Sequence, residues 1–260
     1  MSSENGKANN ASYFVGGALI LAAILVSAAL WAGMGGLQKG ISNMQLVVPA
    51  GAATGNGTAT GNGTTVQPSG WSFLATDPSI GPANAAITVT EFADYQCPYC
   101  AVAYGANIGG TQVDALRGTA TKLSVNYANT GKIRFVYHPM AFLGQESIDA
   151  ANAALCARSL GGDTAYFQMH DKLFQVQGSE NSGVYSKANL KNYASQIGFN
   201  TAAMAGCIDN GTYNAQVTQS NDQASAVGVH GTPTFAVNGV VAQDPTYAAL
   251  SAQIDALLKK

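Results

Sequence analysis

The chain has 260 residues, only 10% of them charged, and a formal net charge of -2. It contains no cluster of lysine or arginine that could neutralise a run of phosphates, which argues against nucleic acid as a partner. The cysteines Cys97, Cys100, Cys156 and Cys207 are too few for a small domain held together by disulfides. Two of them are separated by only two residues, so redox or metal chemistry is the first question.

The N-terminal region is interpreted as a membrane anchor. A short tail, residues 1–13, precedes an apolar run over residues 14–34, and no charge occurs between Lys7 and Lys39. About 20 such residues cross a hydrocarbon core of about 30 Å, which predicts one uncleaved transmembrane helix. A cleaved signal peptide and a buried core helix are the alternatives, and both explain the long, uniformly apolar run less well.

Residues 35–79 are predicted to be a flexible tether. Their middle part is small, polar and rich in Gly, Thr and Asn, and it lacks the apolar periodicity that would offset the entropy of ordering it. The N-glycosylation sequons at Asn56 and Asn62 suit an exported linker. Residues 80–260 then remain, which is enough for one compact domain.

The predicted domain opens with a β-α-β unit. Residues 86–92 are rich in β-branched side chains and end just before Cys97, which predicts a strand that runs into a catalytic loop. A second strand is predicted at residues 132–138, and the pattern of residues 111–129 is mostly helical. Such a unit favours a parallel pairing of the two strands.

Residues 145–227 are predicted to form a helical insertion, because apolar side chains recur there at helical spacing. The chain returns to a strand at residues 234–237 and turns at Asn238-Gly239, a dipeptide typical of type I′ hairpins. A second hairpin strand is predicted at residues 240–242. A last helix follows, with its apolar residues from Tyr247 to Leu257 on one face.

The paired cysteines lie in the sequence Cys97-Pro98-Tyr99-Cys100, where the first strand gives way to a helix. The start of a helix offers free N–H groups and a positive dipole end, and both favour a thiolate, so Cys97 is predicted to be the attacking sulfur. The spacing lets Cys100 reach Cys97 and resolve a mixed disulfide. Pro98 suits the first helical turn, where its missing N–H is no loss.

Two alternatives remain for a Cys-x-x-Cys pair. A zinc site usually takes four ligands, and here Cys156 and Cys207, distant in sequence, or three scattered histidines would have to complete the set. A purely structural disulfide is also possible, although so short a loop would make it easy to reduce. Redox chemistry is therefore preferred, without a metal and without a cofactor.

A second motif, Val-His-Gly-Thr-Pro-Thr-Phe at residues 229–235, leads into the hairpin. Together with the cysteine pair, it resembles the thioredoxin superfamily, and the helical insertion resembles the DsbA-like members. The resemblance covers roughly residues 80–260. It implies an α/β thioredoxin fold with a helical insertion between the βαβ and ββα halves. It also implies a cis-proline at Pro233 beside the active-site disulfide, where the Thr232 backbone could pair with an extended substrate.

Further residues are candidates for the site or its support. Glu91 matches a buried acid that the family uses to move the proton of the second cysteine, and an exposed glutamate at the strand end is the alternative. Cys156 and Cys207 match cysteines that some members join in a structural disulfide, whereas two buried free thiols are the alternative. His230 could approach the disulfide and stabilise the Cys97 thiolate.

Tyr99 departs from the pattern of the strongly oxidising members, which have a histidine at that position. The Pro-Tyr dipeptide resembles glutaredoxin instead, and a tyrosine supplies no cation to the thiolate. A redox potential between about -270 mV, as in thioredoxin, and about -120 mV, as in DsbA, is therefore expected.

The predicted function is a thiol–disulfide oxidoreductase anchored by a single span in the cell membrane, with its catalytic domain on the extracytoplasmic side. The leading hypothesis is a dithiol oxidase that acts on reduced or misoxidised exported proteins and is reoxidised by a membrane partner. The same residues could run in reverse as a reductase or isomerase. A non-catalytic thioredoxin-fold module that binds peptides or metal is the rival from another class.

Overall fold

The computed structural model describes residues 69–107 and 111–260. The transmembrane helix predicted at residues 14–34 and most of the predicted tether lie outside the described residues. Within the described ranges, no helix is both long enough and apolar enough to span a lipid bilayer.

A five-stranded mixed sheet organises the domain, in the order β1-β3-β2-β4-β5. The parallel pairing of β2 with β3 agrees with the predicted β-α-β unit, and β4 lies antiparallel on the other side of β2. β2 is therefore the central strand, and all six of its residues are buried. The strands are β1 (Ser79–Ile80), β2 (Thr88–Ala93), β3 (Arg134–Pro139), β4 (Thr234–Val237) and β5 (Val240–Val241).

The helices between β3 and β4 form the predicted insertion, and the one after β5 is the predicted last helix. α4 contains a break in helical geometry at Gly161 and Gly162, the second of which has φ +67°. A π-helical turn, Ser124–Ala128, directly follows α3. The helices are α1 (Pro98–Ala103), α2 (Thr111–Asp114), α3 (Thr119–Leu123), α4 (Gln145–Val176), α5 (Lys187–Gln196), α6 (Ala202–Asn210), α7 (Asn214–Ala226) and α8 (Tyr247–Leu258).

The alternation of side chains along β2 decides which face of the sheet each of them packs on. Successive residues of a strand point to opposite faces, so Val89 and Glu91 share one face, and Thr90 and Phe92 share the other. Val89 packs in a core with residues of α1, α3 and α8, whereas Phe92 packs with Trp71 on the opposite side. A carboxylic acid thus occupies a strand position on an otherwise apolar face.

The turn between β4 and β5 follows the predicted hairpin geometry. Asn238 and Gly239 have φ values of 49° and 77°, which are the two positive values that a type I′ turn requires. The two predicted strands of the β-α-β unit are present, although each begins two residues later and ends one residue later than the sequence pattern indicated.

The folded region begins before residue 80. Ser69–Thr76 forms a 3-10 helix, and Trp71 and Leu74 are buried within it. The Trp71 ring meets the Phe92 ring edge-on, with centroids 5.6 Å apart. The tether interpretation is therefore wrong for its last residues, because burial of two large apolar side chains offsets the entropy of ordering this segment.

A disulfide joins α4 to α6 through Cys156 and Cys207. Replacing both cysteines with alanine is expected to lower the free energy of unfolding by about 4 kcal/mol, since the bridge closes a loop with a sequence separation of 51 residues. Urea unfolding measures the change. The matched control replaces Cys97 and Cys100 with alanine, and equal unfolding midpoints for the two double variants would contradict the expectation.

Candidate active site

The cysteine pair lies at the junction of β2 and α1. The chain leaves β2 at Ala93, and the Cys97 N–H donates to the Asp94 carbonyl at 3.0 Å before α1 begins at Pro98. Both cysteines are free thiols in this structure. Cys97 is 5% exposed and Cys100 is fully buried, so Cys97 is the sulfur that a substrate can reach.

The proline motif lies against this pair. The Thr232–Pro233 peptide bond is cis, and the Cys97 thiol contacts the Thr232 carbonyl oxygen at 3.4 Å. Thr232 and Pro233 are half-buried and directly precede β4, the antiparallel neighbour of β2. The fold thereby brings together two motifs separated by more than a hundred residues of sequence.

The environment of the two sulfurs separates their proton affinities. A hydrogen bond from the Cys100 thiol lowers the pKa of Cys97 to about 6, with smaller contributions from the Thr232 side chain and from backbone N–H groups, while partial burial opposes the shift. Complete burial raises the pKa of Cys100 well above its ordinary value, and the nearby Cys97 sulfur raises it further. At neutral pH, Cys97 is therefore largely a thiolate and Cys100 a thiol.

The titration of Cys97 can be checked directly. In the reduced chain, alkylation of Cys97 by iodoacetamide should rise with pH around a midpoint of about 6. In a Cys100→Ala variant, the midpoint should move upward, because the hydrogen bond that contributes most to thiolate stability is lost. Mass spectrometry of the modified peptide distinguishes Cys97 from the bridged Cys156 and Cys207. An unchanged midpoint would show that Cys100 does not stabilise the thiolate.

Glu91 is completely buried, which excludes the alternative of an exposed glutamate at the strand end. The Tyr104 hydroxyl donates to Glu91 Oε2 at 2.6 Å, and Oε1 has no hydrogen-bond partner among the described residues. Burial raises the pKa of Glu91 to about 8; the Tyr104 hydrogen bond opposes this shift, and the charge on Cys97 adds to it. The carboxyl is therefore mostly protonated at neutral pH and can serve as a proton donor.

The remaining predicted site residues differ in their placement. Tyr99 is exposed on α1, between the two cysteines, and Pro98 is half-buried beside it. His230 is exposed, and none of the groups that shift the Cys97 pKa is a histidine. The hypothesis that His230 stabilises the thiolate therefore has no support in this geometry.

A hydrogen-bond network that sequence reasoning missed fixes the loop before α1. The Gln177 side-chain amide donates to the carbonyl oxygens of Tyr95 and Cys97, at 2.6 and 3.0 Å. Asp94 accepts hydrogen bonds from the Ser147 hydroxyl and from backbone N–H groups on both sides of the site. These polar residues have no local sequence signal, because every one of these hydrogen bonds except that from the Gln96 N–H joins residues 48 to 82 positions apart.

Tyr104 was also missed, although a signal for it exists. It follows Cys100 by four residues, so both lie on the same face of a helix.

The zinc alternative for the cysteine pair is disfavoured by the disulfide. Cys156 and Cys207 are bonded to each other, so neither is available as a zinc ligand beside Cys97 and Cys100.

The comparisons with known proteins place this fold and site in a family. The thioredoxin family model matches residues 74–256, and the chain belongs to the thioredoxin family. Disulfide bond formation protein D of Bacillus subtilis is 26% identical over 174 residues, which are 66% of this chain and 72% of that protein. The crystal structure of oxidised BdbD from Bacillus subtilis aligns with a TM-score of 0.61 and 24% identity, over 75% of this chain and 97% of that one. The predicted resemblance to DsbA-like proteins is thereby confirmed.

A different relative is much longer. The Na(+)/H(+) antiporter NhaA 1 of Salinispora arenicola is 29% identical over 167 residues, which are 61% of this chain. The match covers 21% of the antiporter. The chain thus spans about a fifth of the length of that curated relative.

Proposed function

We propose that this chain is a thiol–disulfide oxidoreductase that works as a dithiol oxidase on exported proteins. The observation that carries the proposal is the asymmetry of the cysteine pair. Cys97 is reachable and favours the thiolate, whereas Cys100 is buried beside a protonated Glu91. Stabilisation of the Cys97 thiolate favours the reduced enzyme, and this in turn favours oxidation of the substrate.

The reaction starts from the Cys97–Cys100 disulfide. A substrate thiolate attacks Cys97 Sγ, an S–S bond to the substrate forms, and the bond to Cys100 breaks. Cys100 leaves as a thiolate and takes a proton from Glu91. A second substrate thiolate then attacks the substrate sulfur of the mixed disulfide, which forms the substrate disulfide and releases Cys97 as a thiolate. Two electrons have passed from the substrate to the enzyme.

Each turnover leaves the enzyme as a dithiol, so a second reaction must remove two electrons. A membrane-bound oxidant that accepts them from the Cys97–Cys100 dithiol completes the cycle. The relative from Bacillus subtilis carries the name of a disulfide bond formation protein, which supports this direction of flow.

Residues 14–34 would anchor the enzyme in the cell membrane, with the catalytic domain on the extracytoplasmic side. The apolar length of this run supports the anchor. The Cys156–Cys207 disulfide supports the location, because disulfides persist in oxidising compartments and are rare in the reducing cytosol.

The direction of flow is tested by two measurements on the full chain. Equilibration with glutathione buffers gives the redox potential, and oxidation of a reduced, unfolded protein is compared with reduction of insulin. An oxidase should have a potential less negative than the thioredoxin value of about -270 mV, should oxidise the protein rapidly and should reduce insulin slowly. A potential near that of thioredoxin, with rapid insulin reduction, would assign the chain to the reductases.

Substrates are identified by trapping. A Cys100→Ala variant retains the Cys97 thiolate, which attacks the disulfide of an oxidised exported protein and forms a mixed disulfide as one substrate sulfur leaves as a thiolate. The Cys100 thiol that would displace the substrate from Cys97 is missing, so exported proteins should accumulate on Cys97. The matched control, in which both Cys97 and Cys100 are alanine, should capture none of them. Equal capture by both variants would contradict a mixed-disulfide intermediate.

A further inference from the structure

Glu91 has to exchange its proton in every catalytic cycle, yet none of its surface reaches solvent. Its described hydrogen-bond partner is the hydroxyl of Tyr104, at 2.6 Å from Oε2. Tyr104 is half-buried at the end of α1, so part of it reaches the surface that Glu91 does not. The proton therefore needs a route, and the hydrogen bond to Tyr104 provides one.

We propose that Tyr104 is a positioning residue that holds the Glu91 carboxylate for proton transfer with Cys100 and relays protons between Glu91 and the cleft beside α4. This inference rests on the proposed function and adds a residue to its chemistry. Tyr104 does not touch the reacting sulfurs in the described contacts; it acts through Glu91.

The position of Tyr104 is fixed by aromatic packing. Its ring stacks on Phe174 of α4, with centroids 4.2 Å apart and an interplanar angle of 13°. It also meets His170 edge-on at 4.7 Å. Two contacts with the insertion therefore restrain the ring and aim its hydroxyl at a strand residue on the other side of the site.

Tyr104 lines two cavities. One of about 450 Å³ is bordered by Tyr104, Asp171, Phe174 and Gln175, and another of about 240 Å³ is bordered by Tyr104, His170 and Asp171. A water molecule takes about 30 Å³ of liquid volume, so both cavities have room for water. Tyr104 thus contacts both the buried carboxylate and a space that water can enter.

The relay transfers a proton without forming an ionised tyrosine. The Cys100 thiolate takes the Glu91 proton; the carboxylate then receives the Tyr104 hydroxyl proton as the tyrosine oxygen takes one from water. One proton passes from solvent to Cys100, and Tyr104 is unchanged. Burial and the charge of Glu91 raise the pKa of Tyr104 well above its ordinary value, which disfavours any accumulated tyrosinate.

The groups that act electrostatically on this pair come from α1, β3, α4 and the loop before α1. The thiols of Cys97, just before α1, and of Cys100, on α1, and the phenol of Tyr137 on β3 are coupled to Glu91. Tyr95 and Asp171 act on Tyr104 from the loop before α1 and from α4. The test therefore follows the protonation state of Glu91 and compares variants in which these neighbouring groups are unchanged.

The test uses the oxidised full chain and dithiothreitol as the probe. The rate of reduction of the Cys97–Cys100 disulfide is followed by acid quench and thiol alkylation, and each rate is divided by the dithiothreitol thiolate concentration. The corrected rate should fall as Glu91 ionises. In a Tyr104→Phe variant, the pH at which the corrected rate falls should rise by about one unit, because a hydrogen bond that stabilises the Glu91 carboxylate is lost. The low-pH rate should fall by about tenfold.

A double variant separates the relay from a structural effect. In a Glu91→Gln background, Tyr104→Phe should leave the pH profile unchanged, since Tyr104 acts through the carboxylate. Tyr127→Phe is the matched control, because the Tyr127 hydroxyl also bonds a carboxylate at 2.9 Å, but that carboxylate is Asp255 on α8 and not Glu91. It should behave like the wild type.

Three results would overturn the inference: an unchanged profile in Tyr104→Phe, the same change in the Glu91→Gln background, or the same change in Tyr127→Phe. The phenylalanine ring keeps the stacking on Phe174, and matched urea unfolding curves check that the fold is retained. Failure of the proposed function has a different signature, because the wild-type chain would then fail to oxidise a reduced protein even though dithiothreitol still reduces its disulfide.

Discussion

Replacing Cys97 with serine is expected to lower the rate of protein thiol oxidation by about a thousandfold or more, the scale on which loss of a catalytic nucleophile acts. The reason is chemical, because a serine hydroxyl cannot form the mixed disulfide through which the electrons pass. The measurement is the rate at which a reduced, unfolded protein loses its free thiols in the presence of a chemical reoxidant.

Cys100→Ser is the matched control for this loss. It cannot form the Cys97–Cys100 disulfide that a substrate thiolate attacks, so it should fail to turn over. Its Cys97 thiolate should still form mixed disulfides when it is mixed with an oxidised substrate, by attack on the substrate disulfide. Cys97→Ser should form none. Substantial oxidation by the Cys97→Ser variant would contradict the assigned chemistry. Peptide binding that survives in it without any turnover by the wild type would instead favour the non-catalytic module.

The strongest sequence signals were those in which a residue type fixes the local geometry. A strand of β-branched residues that ends at Cys-Pro-Tyr-Cys specifies where α1 begins, and Asn238-Gly239 specifies a turn with two positive φ angles. Each pattern needs only neighbouring residues to act. Four of the five strands and the hairpin could therefore be predicted from the sequence, whereas the two-residue strand β1 could not.

The polar framework of the site could not be predicted in the same way. Gln177 and Asp94 act by hydrogen bonds to backbone groups on distant elements, and any polar residue type could have filled such a role. Trp71 lies within residues 35–79, which were assigned to the tether because their middle part is small and polar, yet it is buried against Phe92. A contact between elements that are distant in sequence leaves no periodic trace in either of them.

The buried carboxyl of Glu91 destabilises the fold when it ionises, so the free energy of unfolding should depend on pH. Its pKa is about 8 in the folded chain against an ordinary value of 4.5. Below pH 4.5 the carboxyl is protonated in both states, and above that value the unfolded chain releases its proton first. Glu91 therefore stabilises the fold most at low pH, and that contribution is lost progressively until the pH passes 8, by about 5 kcal/mol in all.

Glu91→Gln should remove this dependence, because an amide does not titrate. The free energy of unfolding of the variant minus that of the wild type should therefore rise with pH above 4.5. In the oxidised chain this rise should end below pH 8, because the Cys97 charge that adds to the Glu91 pKa is absent. Urea unfolding of the oxidised chain measures it, since the Cys97–Cys100 bridge keeps the Cys97 titration out of the comparison. Glu180→Gln, at an exposed position, is the matched control for replacing a glutamate with an amide. A flat difference for Glu91→Gln would mean that Glu91 titrates like an ordinary carboxyl, and the enzyme would then need another proton donor for Cys100.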